Sequence, residues 1–355
     1  MIPDMKSRSL VSRNSVIVLA VVLLMLVGAG TALAQQKGEP QKGESQKSGA
    51  KGTAGLQAPD NTPMPSMNSL KLVFPPGNEF GYVYKDSTVV HRTYSDSSTL
   101  DYLRETTYYM QLKALKDPSD GVLEVMVNID SLTYRFKSGD AELNYDVRSK
   151  MELKFPDLIA ATVPVNREFT MKFSPYWEVV STEGEMLDWL RNYIEEYGEG
   201  RIDSMRKFLW LNGITTTALA QFADFQKGAL PNSRVHRDST WRKPFFMKAD
   251  GIDCRDDSAT SKIIAYKNGT YTIETNLRNL KVLPTKQRLY KIESMVDITG
   301  GKGNGTHVTN ITRQGVVTEA VTRCTTQINA KIRKEVFSET VESTYTWKCL
   351  GQTAY

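Results

Sequence analysis

The chain has 355 residues, of which 40% are apolar and 24% charged, and its formal net charge is +5. This composition is typical of a globular protein with enough apolar residues to bury one large core or two smaller ones. On a chain of this length the charge is nearly neutral, and the basic residues are scattered among acids, so neither nucleic acid nor anionic lipid is expected as a partner.

The first 34 residues have the pattern of a cleavable secretory signal peptide. Three cations precede an unbroken apolar run at 16–27, and the small-residue triplet Ala32-Leu33-Ala34 follows it. This run is shorter than the roughly 20 apolar residues that a membrane-spanning helix requires. We expect cleavage near Ala34 and an extracytoplasmic location, periplasmic or secreted; the alternative is an uncleaved N-terminal anchor. No later segment is apolar enough to span a membrane.

A linker is predicted after the signal. Residues 35–68 are rich in Gln, Lys, Gly, Ser and Pro and contain almost nothing that a core could bury. We therefore expect a disordered linker there, with folded structure beginning near Leu70.

Residues 69–182 are predicted to form an N-terminal antiparallel β lobe. Apolar and polar residues alternate across 123–130, the period of a sheet with one solvated face. Turn signals flank this strand at Asp120-Gly121 and Ser138-Gly139-Asp140. Strands around Tyr108 and Tyr145 then complete a meander.

Residues 183–229 are predicted to form a helical connector. Apolar residues recur at helical spacing from Met186 to Tyr197, two glycines end that run, and helical stretches follow at 202–211 and 215–227. We expect the aromatic residues of this segment to cover an open sheet face. They are Trp189, Phe208, Trp210, Phe222 and Phe225.

Residues 230–355 are predicted to form a C-terminal antiparallel β lobe. Asn268-Gly269 is its clearest hairpin signal, because both residue types accept the positive φ values of a type I′ turn. Further turns are expected at the glycine-rich segment 300–305 and at Asn329-Ala330. The predicted fold class is α+β and mostly β: two antiparallel lobes, as meanders or curved half-barrels, joined by a short helical segment.

Three cysteines, Cys254, Cys324 and Cys349, form an odd set in what is expected to be an oxidising compartment. A turn at Asn329-Ala330 places Cys324 and Cys349 about 45 Å apart at the rise of a β-strand. That separation forbids a disulfide between them. A bridge from Cys254 to either one stays open.

Catalytic patterns are absent from the sequence. The histidines, His91, His236 and His307, lack the spacing of metal ligands, and no nucleophile or phosphate-loop motif occurs. The acidic cluster 253–257 around Cys254 is expected to be a solvated turn. We predict a protein that is not an enzyme, with no catalytic or metal-binding residues and no cofactor.

A binding function is the first hypothesis. Helices laid across a curved sheet can leave an apolar trough, and aromatic residues are available either to line it or to form an ordinary closed core. Such a trough suits an apolar small molecule or a lipid, although no individual ligand-binding residue is assigned. The alternatives are a structural or assembly component of the cell envelope that binds an envelope protein and, third, an unrecognised hydrolase. The aromatic residues considered are Tyr108, Tyr145, Trp177, Trp189 and Trp210.

One stretch resembles a known family. Leu230-Pro231, then Val235 and Asp238-Ser239-Thr240-Trp241, resemble the linker of a family of uncharacterised secreted bacterial proteins with two β regions. Asp238 stands where that family has glycine. The resemblance implies an envelope or secreted β protein of unknown function, with no catalytic residues to carry over and with Trp241 packing the start of the second lobe.

Overall fold

The computed structural model of the chain describes the following residues: 77–115, 122–149, 156–174, 178–196, 204–223, 225, 230–231, 235–236 and 238–352. The predicted signal peptide (1–34), the predicted linker (35–68) and the predicted turn at Asp120-Gly121 lie outside the described residues.

Long strands dominate the described part of the chain. In chain order they are β1 (Glu79–Thr93), β2 (Thr99–Ala114), β3 (Leu123–Ser138), β4 (Ala141–Asp146), β5 (Phe169–Phe173), β6 (Val179–Glu183), β7 (Thr240–Ala249), β8 (Ile252–Lys267), β9 (Thr270–Val282), β10 (Thr285–Gln287), β11 (Val296–Thr312), β12 (Val317–Ile332) and β13 (Glu335–Gln352).

These strands join into one open antiparallel sheet. Their spatial order is β6-β5-β3-β2-β1-β13-β12-β11-β9-β8-β7, while β4 pairs with β3 and β10 with β11. The mostly β, antiparallel fold predicted from the sequence is confirmed. The strands from 79–183 and those from 240–352 form two halves of this one sheet, which meet where β1 pairs with β13 from Phe80 opposite Gln352 to Thr93 opposite Ser338.

One face of the sheet forms the core. In β3 the inward residues are odd-numbered up to Ile129 and even-numbered from Leu132 onward. The change coincides with a register shift against β2 between Tyr109 and Met110. An extra residue in one strand moves the following side chains to the opposite face, so this bulge keeps the apolar set facing inward.

Two predicted turns are confirmed. Gly139, with φ of 58°, separates β3 from β4, and Asn268 and Gly269, with φ of 50° and 76°, connect β8 to β9. Both turns need left-handed backbone, which Gly and Asn adopt at low cost.

The predicted turn at Asn329-Ala330 is wrong. β12 continues through both residues, and the chain turns at Arg333-Lys334, where Arg333 has φ of 53°. The inward alternation of β12 extends unbroken to Ala330, which is buried, and this packing decides the length of the strand. Cys324 therefore lies opposite Ser343 rather than near residue 335.

The predicted turn at 300–305 is also wrong, because these residues lie within β11. A Cβ atom at Gly301 would lie 2.0 Å from the carbonyl oxygen of Gln327, and one at Gly305 would lie 2.3 Å from that of Arg323. The glycines therefore allow β11 to approach β12 closely. Glycine serves turns and close strand contacts equally well, so composition alone does not distinguish the two.

The sheet curls back on itself. The Tyr345 hydroxyl of β13 donates to the carbonyl oxygen of Lys248 in β7, although four strands stand between them in the sheet. Tyr102 of β2 likewise donates to Asp250, in the turn after β7, at 2.7 Å. The turn between β7 and β8 therefore lies over the inner face of the opposite half.

Four helices are described: α1 (Pro156–Thr162), α2 (Glu185–Glu196), α3 (Ser204–Gly213) and α4 (Thr216–Ala220). No described helix has the length and apolar character needed to cross a membrane. Aromatic contacts hold the end of α4 on the sheet, as Phe222 packs edge-on against Tyr108 and Tyr84 at centroid distances of 4.8 and 5.9 Å. The indole nitrogen of Trp347 also donates to the carbonyl oxygen of Gln221 at 2.9 Å. The predicted covering of the sheet by aromatic residues is thus confirmed for Phe222.

Candidate functional site

A cavity of about 880 Å³ lies between the inner face of the sheet and the helices. Three walls enclose it. Side chains of β1, β2, β3 and β13 form the sheet wall, and residues of α1, α3 and α4 and the turns next to them form the helix wall. The loop wall consists of the turn between β7 and β8 together with segment 285–293. We call this space the central cavity.

Tyrosines dominate the sheet wall. Tyr102, Tyr108, Tyr134 and Tyr345 line it and are buried. Burial raises the pKa of Tyr102, Tyr108 and Tyr345 above the usual range, because a phenolate loses its hydration in the interior. These phenols stay protonated at physiological pH, so they offer ring faces and neutral hydroxyl groups to a ligand.

A charged group lies at the centre of the same wall. Arg104 Nη1 is 2.9 Å from Asp250 Oδ1, and Arg104 Nη2 is 3.8 Å from Asp86 Oδ2. Tyr102 donates to the other oxygen of Asp250. Asp250 has φ of 49°, a left-handed conformation that Asp tolerates in turns. The turn between β7 and β8 thus places the Asp250 carboxylate against the Arg104 guanidinium of β2, which belongs to the other half of the sheet.

The helix wall mixes apolar and small polar residues. Its apolar part consists of Phe208 and Leu209 of α3, Ala218 of α4, and Ala161 and Pro164 at the end of α1, and its polar part of Asn212, Thr215, Thr217 and Gln221. Thr215 caps α4, because its hydroxyl accepts a hydrogen bond from the backbone nitrogen of Ala218 at 3.2 Å. The central cavity thus has a partly apolar, uncharged side opposite a tyrosine-rich, charged side.

Segment 285–293 is attached firmly at Tyr290. Arg92 Nη1 donates to the carbonyl oxygen of Tyr290 at 2.8 Å, and the Tyr290 ring lies edge-on to Tyr102 and Phe136 at centroid distances of 5.2 and 4.6 Å. The segment carries three basic residues and one acidic residue into the cavity lining. They are Lys286, Arg288, Lys291 and Glu293.

The aromatic residues proposed from sequence divide among several environments. Tyr108 lines the central cavity, Tyr145 is buried in β4, and Trp210 is half-buried against the core. Trp189 is exposed, and Trp177 lies outside the described residues. Of the five, Tyr108 alone is among the described residues that line the cavity.

Apart from Tyr108, the sequence analysis missed the charged and tyrosine residues of the sheet wall. One signal was available in β2, where strand alternation places Tyr102, Arg104, Thr106 and Tyr108 on one face. An arginine in such an inward series is unusual for a core strand. No comparable signal pointed to Asp250, whose role depends on the curling of the sheet.

The histidines lie apart from the central cavity. His307 is buried, with Thr322 Oγ1 2.8 Å from Nδ1 and Thr309 Oγ1 2.7 Å from Nε2. His91 pairs with Asp101 on the exposed face of β1 and β2, and His236 is exposed. Each histidine therefore has a place in the fold that does not involve the cavity.

The cysteines also lie elsewhere, and of the acidic cluster Asp253 alone is among the described residues that line the cavity. Cys254, Cys324 and Cys349 are all free thiols, so neither bridge left open from sequence is present. The cluster 253–257 lies within β8, where Asp256 is buried and accepts hydrogen bonds from the backbone nitrogens of Ser258 and Asn279, both at 2.9 Å. The predicted solvated turn there is wrong, because the strand pairs with β7 and β9 through this region. Within the described ranges, no group of three acidic, histidine or cysteine side chains is arranged to hold a metal ion.

No protein-family model and no curated protein matches the chain. Among solved structures, it is similar to lipovitellin in a structure concerned with lipid–protein interactions, with 10% identity and a TM-score of 0.43. That match covers 79% of this chain and 26% of the other, so the chain spans about a quarter of lipovitellin.

Two further solved structures show weaker similarity. An outer-membrane channel from Pseudomonas putida F1 has 9% identity and a TM-score of 0.26, with 79% of this chain and 98% of that chain covered. A DUF1329 family protein from Desulfovibrio piger has 8% identity and a TM-score of 0.13, with 74% and 83% covered. At these scores none of the likenesses assigns a family, and the function has to be inferred from the cavity.

Proposed function

We propose that the chain is a non-catalytic binding protein that holds an amphipathic small molecule in the central cavity. One observation carries the proposal: a space of about 880 Å³ between a partly apolar, uncharged helix wall and a tyrosine-rich, charged sheet wall. Ligand pockets typically measure roughly 300–1,000 Å³. The space is therefore large enough for a lipid-sized molecule or a substantial part of one.

The charges narrow the ligand class from apolar to amphipathic. Arg104 and Asp86 lie on the sheet wall and Asp250 on the loop wall, and a hydrocarbon placed against them would remove water without replacing its hydrogen bonds. A ligand with one polar end can satisfy these groups while its apolar part contacts Phe208 and Leu209. This arrangement favours a molecule with distinct polar and apolar ends.

The contents of the cavity favour binding over catalysis. None of the histidines or cysteines, all of which are described, lines the cavity. Its tyrosines stay protonated because burial raises their pKa, and its central arginine is paired with carboxylates. Such groups orient a ligand by hydrogen bonding, and the lining carboxylates Asp86 and Asp250 are engaged by Arg104.

An envelope location completes the proposal. The signal-like N-terminus supports this location. A second support is the resemblance of the segment from Leu230 to Trp241 to secreted bacterial proteins. In the structure Leu230 is buried and Trp241 packs partly buried against the core at the start of β7, as expected of an architectural marker. The location and the resemblance both stay predictions.

Native mass spectrometry of the full chain purified from its own host tests the function. We expect a bound mass in the size range of a lipid. Ala218→Phe, which adds a ring on the cavity side of α4, should abolish that mass, whereas Ala220→Phe on the same helix, away from the lining, should retain it. Circular dichroism of both variants verifies folding. Repeated absence of bound mass from the wild type contradicts the proposal.

A further inference from the structure

Helix α2 exposes an apolar stripe outside the central cavity. Met186, Trp189 and Tyr193 are 46%, 54% and 40% exposed. Their spacing of three and four residues places them on one face of the helix. The Trp189 and Tyr193 rings stack with centroids 5.2 Å apart and planes 18° apart, so the stripe has an ordered aromatic surface.

This stripe is additional to the one that anchors the helix. Leu187, Leu190 and Ile194 are buried, and each follows a residue of the exposed stripe by one position, about 100° around the helix. A surface helix needs one apolar stripe to pack on a protein. Among the described residues the buried stripe meets that need, so the exposed stripe is additional to it.

Most of the other exposed residues of α2 are acidic. Glu185, Asp188, Glu195 and Glu196 are exposed on α2, whose one basic residue, Arg191, is 2.8 Å from Asp188. By helical geometry, Glu185 and Glu196 lie beside the stripe on its solvent side. The result is an apolar surface with an anionic border.

We propose that this surface docks a basic, partly apolar segment of another protein. Trp, Tyr and Met are enriched at the centres of protein interfaces, and Trp and Tyr are frequent among the residues that dominate binding energy. Because Glu185 and Glu196 border the stripe, a partner with basic residues at these positions would complement its charge. The proposal is independent of any ligand in the central cavity.

The same charges argue against two other occupants. Helices that lie on membranes carry Lys and Arg on their polar face, whereas α2 carries mainly carboxylates. A second copy of the chain would bring the same acidic border against this one, and like charges across an interface are repulsive.

Site-specific photo-crosslinking in the producing cells tests the proposal with the full chain. A photo-reactive phenylalanine derivative at position 189 should give one discrete protein adduct. The same group at position 336, where Val336 is 57% exposed in β13, should not give it. Adducts with lipid, adducts with a second copy, or no adduct at position 189 would overturn the proposal.

Charge reversal then tests the chemistry on the purified adduct partner. Glu185→Lys combined with Glu196→Lys should weaken its binding at least tenfold, whereas Glu335→Lys, on the exposed end of β13, should leave the affinity unchanged. Trp189→Ser should weaken binding to a similar extent, and all variants should keep the wild-type circular dichroism spectrum. Unchanged affinity in the double variant would overturn the assignment of a basic partner.

Discussion

Arg92 of β1 and Glu339 of β13 lie directly opposite each other, and Nε of the arginine is 2.6 Å from Oε1 of the glutamate. Both side chains are completely buried. The arginine also donates to the carbonyl oxygen of Tyr290, which belongs to the loop wall of the central cavity. One ion pair therefore connects the two halves of the sheet and the segment that encloses the cavity.

Removing one member of this pair should be more damaging than removing both. Arg92→Met leaves the Glu339 carboxylate buried without its cation, and breaking a buried pair in this way typically costs about 3–5 kcal/mol. Arg92→Met combined with Glu339→Leu should recover much of that loss, because no charge then remains to be buried. Urea denaturation gives the free energies of unfolding. A single variant within about 0.5 kcal/mol of wild type would contradict this expectation.

Glu339 should also make stability depend on pH. Burial raises its pKa from 4.5 to about 7, the charge of Asp250 acts in the same direction, and Arg92 opposes the shift. A carboxyl group with a raised pKa in the folded state favours folding while protonated. Its contribution is thus complete below about pH 4.5 and is lost as the pH rises through 7.

Glu339→Gln should remove this dependence, since the amide does not titrate. Between pH 4.5 and 7 the free energy of unfolding should fall for the wild type relative to the variant. Glu342→Gln, at an exposed position of the same strand, serves as the control and should follow the wild type. If the free energy of unfolding depended on pH in the same way for wild type and Glu339→Gln, Glu339 would have the same pKa in the folded and unfolded states, which would contradict this prediction.

Gly301→Ala should destabilise the junction of β11 and β12. The added methyl group would lie 2.0 Å from the carbonyl oxygen of Gln327, which cannot move without disturbing strand pairing. Overpacking of this kind costs about 1–3 kcal/mol, sometimes more. Asn304→Ala, at an exposed position in the same strand, should cost much less. Chemical denaturation of both variants provides the comparison.

The thiols should react at very different rates. Burial raises the pKa of Cys254 to about 12, and the neighbouring Cys324, also buried, adds to the shift. Because the thiolate is the reactive species, a disulfide reagent at pH 8 should modify the partly exposed Cys349 first. Cys254 and Cys324 should react only after denaturation. In Cys349→Ser the fast phase should disappear, and its persistence would refute this assignment.

Local patterns predicted the strands well, because one face of the sheet is buried and the other is mostly solvated. The turn at Asn268-Gly269 was also predictable, because few residue pairs accept its backbone conformation. Asn329-Ala330 carries a weaker signal, and the continued burial of β12 overrides it. The pairing of β1 with β13 joins the two ends of the described chain. The alternation of apolar and polar residues within a strand does not indicate which strand is its partner.

The site was predictable in position but not in chemistry. A trough between sheet and helices follows from laying amphipathic helices across a curved sheet. Arg104 and Asp250 are distant in sequence, however, and they meet because the sheet curls far enough to bring the turn after β7 over β2. Bulges increase the local bend and twist of a strand, and local patterns do not identify them reliably.

The pairing of β1 with β13 has a consequence for biosynthesis. β1 is the first of the described strands to leave the ribosome and β13 is the last, yet they are neighbours in the middle of the sheet. Until β13 has been synthesised, β1 has one edge without its partner, and such an edge invites association with other chains. Contacts between such distant parts of a chain also slow folding. Protection of that edge while the intervening strands are made would therefore limit misassociation.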